Sequence, residues 1–239
     1  MHLIDELRRE HDLIERVLGS LRTFVARRID GSLAAESSSA GVASSSGDTD
    51  GTDPADAAAF LRFFRLYAGH YHHAREEDTL FVALERELGL PAGRGPIAIL
   101  LADHRRFAGL LDEVERLVAL ERLDEPTARR LQACVTQYAH GLWHHIDAEN
   151  SVLLPESEAR LAKAGTHELP SRAPTEEEAA ARQEGLALLE RYPQTSDTDA
   201  FRGDGCPACP AFGVECEGIE RAWWNESEWD EFADHLPSG

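Results

Sequence analysis

The chain has 239 residues, enough for one substantial core with appendages, and a formal net charge of -20 from 44 acidic against 24 basic residues. Such a surface repels phosphate backbones and anionic lipid, which argues against nucleic acid or a membrane as partner. No stretch is apolar for long enough to make a signal peptide or a membrane span, so a soluble, cytoplasmic protein is expected.

From Leu3 to about Arg28, Ile4, Leu7, Ile14, Leu18, Leu21 and Val25 form a helix-period apolar stripe. His11 falls within it, four residues after Leu7 and three before Ile14. Residues 30–53 are rich in Ser, Gly, Ala and Asp without periodicity and are expected to form a disordered loop between helices. A second helix opens at Asp53-Pro54, an N-cap followed by a first-position proline. It runs to about Leu88, where Gly89, Pro91, Gly93, Gly95 and Pro96 break it. A third is expected from Pro96 to about Arg122, with His104 on the side carrying Leu100, Leu101 and Phe107. A fourth extends from near Pro126 to about Ala164. The spacing thus predicts an all-α helical bundle over residues 1–164 and a separate extension over 165–239. The extension begins with a short helix at about 174–191 and ends in an irregular, acidic, cysteine-rich tail.

The fourth helix contains His145-x-x-x-Glu149, and shifting back by 73 positions gives His72-x-x-x-Glu76, with Leu80 on Leu153 and Phe81 on Leu154. Residues four apart lie one above the other on a helix, so each copy presents an imidazole beside a carboxylate. Asp103-His104 likewise resembles Glu10-His11, so the chain reads as two copies of one helical hairpin. Facing pairs inside a bundle suit two metal ions bridged by the carboxylates. Imidazole with carboxylate favours iron, manganese or zinc over calcium or copper(I). With an oxo or hydroxo group shared between the ions, roughly two coordination positions stay open, and the positive excess there favours small anionic or reducible ligands. His73 and Glu77, also four apart, offer a rival register. In the preferred register His70, His73, His140 and His144 stand around the ligands or at the surface. Asp12 and Asp103 are the acids expected to accept hydrogen bonds from the ligand imidazoles. Cys134 is expected in the core, and Tyr67, Tyr71 and Tyr138 fill it. In the tail, Cys206-x-x-Cys209 with Cys216 is a candidate second metal site or redox pair, although it lacks the fourth ligand of a zinc ribbon.

On these motifs residues 2–164 resemble a hemerythrin-like domain of the histidine-histidine-glutamate cation-binding family. The resemblance implies an up-down-up-down four-helix bundle and a non-haem di-iron centre held by His11, His72, Glu76, His104, His145 and Glu149. Oxygen-carrying relatives have a further histidine four residues beyond the one on helix three, where this chain has Ala108. The four-histidine, two-glutamate pattern is similar instead to relatives that handle nitric oxide or peroxide, sense oxygen, or repair iron centres under stress. It implies a small diatomic or peroxidic ligand, with turnover and sensing through a redox or signalling protein partner both open.

Overall fold

The computed structural model describes residues 1–38 and 52–194, which form five helices and no strand among the described residues. Helix α1 spans His2–Ser38. Helix α2 runs continuously over 54–88 and has two π-helical stretches, Phe63–His73 and Glu76–Leu80. Helix α3 is Gly95–Val118, and α4 runs over 125–163 with a π-helical stretch at Glu149–Leu153. Helix α5 is Glu176–Arg191. The expected caps are in place: the Asp53 side chain accepts from the Ala55 amide at the start of α2, and Gly89 closes it at φ +70°.

Paired contacts fix the topology. Phe24 meets Phe60 and His11 meets His72, so α1 and α2 are antiparallel. Arg65 reaches Asp112 while Glu77 reaches His104, which sets α3 against α2. His104 meets His145 and Arg130 reaches Glu113, which reverses α4. Met1 pairs with Glu158 and His11 with Asn150, bringing α4 back beside α1. The result is an up-down-up-down four-helix bundle.

The first helix does not stop at residue 30. It continues to Ser38, so the expected loop is shorter by its first nine residues, which are helical. Leu33, Ala34 and Ala35 are good helix formers and no proline interrupts them. The Arg28 guanidinium also donates to the carbonyls of Leu120 and Glu121 at 2.7 and 3.1 Å, tying this end of α1 to the turn before α4. The rest of that loop, 39–51, and the Cys206, Cys209 and Cys216 cluster lie outside the described residues. Cys134 packs half-buried against the core.

The apolar interior is divided in two. One cluster joins Leu3, Leu7, Leu80, Phe81, Leu100 and Leu154 at one end of the bundle, and a larger one, including Ile14, Phe64, Phe107 and Tyr138, fills the other. On every helix of the bundle the predicted polar residues fall between the two, so the site is a polar layer enclosed above and below by hydrocarbon.

Helix α5 packs along α1 and the first half of α2. Its start is a capping box in which the Thr175 and Glu178 side chains bond each other's backbone amides. Arg62 donates twice to Glu184 at 2.8 Å, and the buried Tyr192 hydroxyl donates to Asp56 at 2.7 Å. Gly185 lets the helix sit directly on Phe63: a Cβ there would come within 2.3 Å of the ring. Gly185→Val is therefore expected to cost about 1–3 kcal/mol through overpacking. In hydrogen exchange the amides of 176–191 should lose protection first; unchanged protection would show that the close approach is not needed.

Candidate metal centre

His11, His72, Glu76, His104, His145 and Glu149, which lie far apart in the chain, meet in the polar layer, each less than a tenth exposed. Glu76 turns one oxygen to each side. Its Oε1 is 3.3 Å from His72 Nε2 and 3.7 Å from His11 Nε2, while Oε2 is 3.6 Å from His104 Nε2. Glu149 repeats the arrangement, with Oε2 at 3.2 Å from His11 Nε2 and Oε1 at 3.4 Å from His145 Nε2. Glu76 and Glu149 each open a five-residue π-helical stretch, so the 73-residue repeat extends to the backbone winding.

The outer ring nitrogens explain why the inner ones face the centre. His72 Nδ1 lies 2.9 Å from Glu10 Oε2, His104 Nδ1 2.7 Å from Glu77 Oε1, and His11 Nδ1 2.8 Å from Asn150 Oδ1. An oxygen acceptor fixes the proton on Nδ1 and leaves the Nε2 lone pair pointing inward. His145 Nδ1 faces Asp103 Oδ2 at 3.6 Å. These partners obey the internal repeat: Glu10 serves His72 as Asp103 faces His145, and Glu77 serves His104 as Asn150 serves His11. Asp12, expected in such a role, is exposed instead, because it falls one position beyond the inward face of α1. Glu10, Glu77 and Asn150 each sit next to a ligand residue, and that adjacency is the signal in the sequence that could have found them.

Glu10 is itself anchored. The buried Arg75 guanidinium donates to it and, at 3.0 Å, to Glu6, and lies 4.0 Å from the centre of the Tyr71 ring. Burial works against the ionised form of Glu10, but His72 and Arg75 outweigh it and hold the carboxyl below its ordinary range. Ser171, in the segment before α5, donates to Glu6 at 2.6 Å. Glu10, Tyr67 and Tyr71 also line a cleft of about 420 Å³ between α1, α2 and α5, with Arg9 and Arg182 among its walls.

The register of α2 is not a choice between His72 and His73. Both rings are buried, and His73 stacks on His104 with centroids 3.9 Å apart and planes 8° apart. His73 is thus neither a surface residue nor a member of a separate pair with Glu77. The π-helical winding through Phe63–His73 widens the turn and lets consecutive side chains share one face. His70 is exposed, while His140 and His144 are half-buried.

The donor set fits a cation. Both oxygens of Glu76, both of Glu149 and His11 Nε2 are buried without a hydrogen-bond partner, a costly arrangement unless a positive charge joins them. The Nε2 atoms of His104 and His145 stand 3.1 Å apart, two inward-facing nitrogens that need a proton or a metal between them. Metal–ligand bonds of about 2.1 Å place neighbouring ligands about 3.0–3.4 Å apart at octahedral or tetrahedral corners, close to the distances found. The potential ligand atoms fall into two sets: His11, His72, Glu76 and Glu149, and His73, Glu76, His104 and His145.

A four-helix bundle with buried, paired histidine–glutamate motifs facing one another has the makings of a helical cation-binding protein. The family model described as the hemerythrin HHE cation binding domain matches residues 2–157. The chain belongs to that family, whose members bind iron, and α5 lies beyond the matched region. No curated protein matches the chain, and no solved structure does. Among the described residues no helix is long and apolar enough to cross a membrane.

Proposed function

We propose that the chain holds two iron ions in the polar layer and that the pair binds or reduces oxygen, peroxide or nitric oxide. The observation that carries this reading is the orientation of the two carboxylates, each with one oxygen toward each imidazole set. When bound, the iron pair supplies redox equivalents and open coordination positions. The six side chains fix the ions, the two apolar clusters keep bulk water out, and Glu10 and Glu77 hold protons at the Nδ1 atoms of His72 and His104. The acidic surface disfavours nucleic acid and membranes as partners.

A sensing role is favoured by a separate observation. Ser171, Glu6, Arg75, Glu10 and His72 form a continuous chain of polar contacts from the C-terminal extension to the centre. Through it, a change at the ligands reaches the segment that leads to α5, and from there a protein partner.

Elemental analysis and the visible spectrum of tag-free protein, followed by addition of oxygen, peroxide and nitric oxide, test both. The expected result is about two irons per chain with near-ultraviolet absorption from an oxo or hydroxo bridge. With an added electron donor present, turnover of many equivalents identifies an enzyme, whereas a single stoichiometric reaction identifies a sensor. One zinc, or no metal, would overturn the di-iron reading.

A further inference from the structure

We propose that His73 is a fifth imidazole ligand, supplied by α2 to the side of His104 and His145, so that the two cations are held unequally. Three imidazoles then serve that side and two serve the side of His11 and His72. The inference rests on the two-metal reading of the site but concerns a residue outside the six ligands of the repeated motif.

The internal repeat makes His73 conspicuous. A shift of 73 positions carries His72, Glu76 and Glu77 onto His145, Glu149 and Asn150, each with a matching role, but carries His73 onto Ile146. Ile146 is 1 % exposed and belongs to the larger apolar cluster. The structure therefore has an apolar solution for this position, and α2 departs from it with an imidazole.

The surroundings supply a use for that imidazole. One ring nitrogen of His73 lies within 4.8 Å of the ligand atoms of Glu76, His104 and His145. The ring is stacked on that of His104, whose Nδ1 is tied to Glu77 and whose Nε2 faces inward, so the His73 lone pair converges on the same ion once the ring tilts out of the stack. The His145 ring is 5.8 Å away, at a steep angle.

Unequal ligand sets imply unequal affinities, with the nitrogen-richer side filling first. Loss of an outer partner of a ligand costs about 10–100-fold in metal affinity, so loss of a direct ligand should exceed about 100-fold. The test uses the full chain stripped of metal, titrated with cobalt(II) and read by its visible ligand-field bands and by X-ray absorption. Wild type is expected to take two cobalt ions in two resolved steps, with five imidazoles per ion pair. His73→Ile, which copies the residue at the matching position of α4, should weaken the tighter step by more than about 100-fold and lower the count to four.

The proposal is overturned if His73→Ile binds as wild type does, or if wild type itself shows four imidazoles per pair. The second criterion needs no variant and so does not depend on the substituted chain folding. Binding of a single cobalt by wild type would refute the two-metal reading instead; His73 ligation then stands if that site has three imidazoles and falls if it has two.

Discussion

Glu149→Ala is expected to strip both irons from the chain while leaving the metal-free fold intact. The carboxylate is 0 % exposed, and its oxygens face His11 and His145, one in each ligand set. Alanine removes a donor from both sides at once, so the two ions should be lost together; His72→Ala removes a donor from one side only and should retain metal on the other. The metal-free chain should respond little. Both Glu149 oxygens are buried, and without a metal their desolvation cost is offset by the charged His11 imidazole 3.2 Å from Oε2. Urea denaturation after chelation should therefore show Glu149→Ala within about 1 kcal/mol of wild type. Elemental analysis reads the first half of the prediction. Retention of two irons per chain would rule out the bridging role, and a collapse of the metal-free fold would show the residue to be structural.

The six motif residues and four helices were legible because both rest on short-range rules. A histidine and a glutamate four apart share a face in any α-helix, and Asp53-Pro54 or Gly89-x-Pro91 mark helix ends through backbone sterics alone. What depends on another helix was harder to read. Glu10 serves His72 on α2, and Glu77 serves His104 on α3; those pairings depend on the axial register between helices, which the spacing within each helix does not encode. Asp12 looked as well placed as Glu10 by distance along the chain, but faces solvent.

His73 eluded the periodicity argument for a different reason. An α-helical wheel separates consecutive residues, which makes His72 and His73 alternatives, whereas the π-helical stretch ending at His73 turns both inward. The excess histidine in HHAREE was itself the visible sign. Beyond residue 30, low-complexity composition hid a helix that Leu33, Ala34 and the Arg28 anchor carry on to Ser38.

Metal affinity is expected to rise steeply with pH, because the metal-free site holds protons where the cations belong. Burial works against charging His11, but Glu149 and Glu76 beside it more than compensate and push its pKa up to about 10. His145 is raised as well, burial opposing and Glu149 and Asp103 favouring its charged form. Glu76 contributes nothing to this dependence near neutrality: burial opposes its ionisation, but His72, His11 and His104 hold its carboxyl far below the ordinary range.

For His11, a folded-state value above the ordinary 6.5 means that protonation stabilises the metal-free fold fully below about pH 6.5, and that this contribution fades as pH climbs toward 10. Metal binding runs against the same proton. Each displaced proton gives about a tenfold gain in affinity per pH unit while the pH stays below the group's pKa. Between pH 6 and 8 the His11 proton alone should therefore strengthen binding by about 100-fold, and more to the extent that His145 also releases one. Competition titrations of cobalt(II) at fixed pH read the slope, and loading in a lightly buffered solution should acidify it by at least one proton per chain. An affinity flat from pH 6 to 8 would mean that His11 is already neutral before the metal arrives, and that the two buried carboxylates are compensated by some other charge.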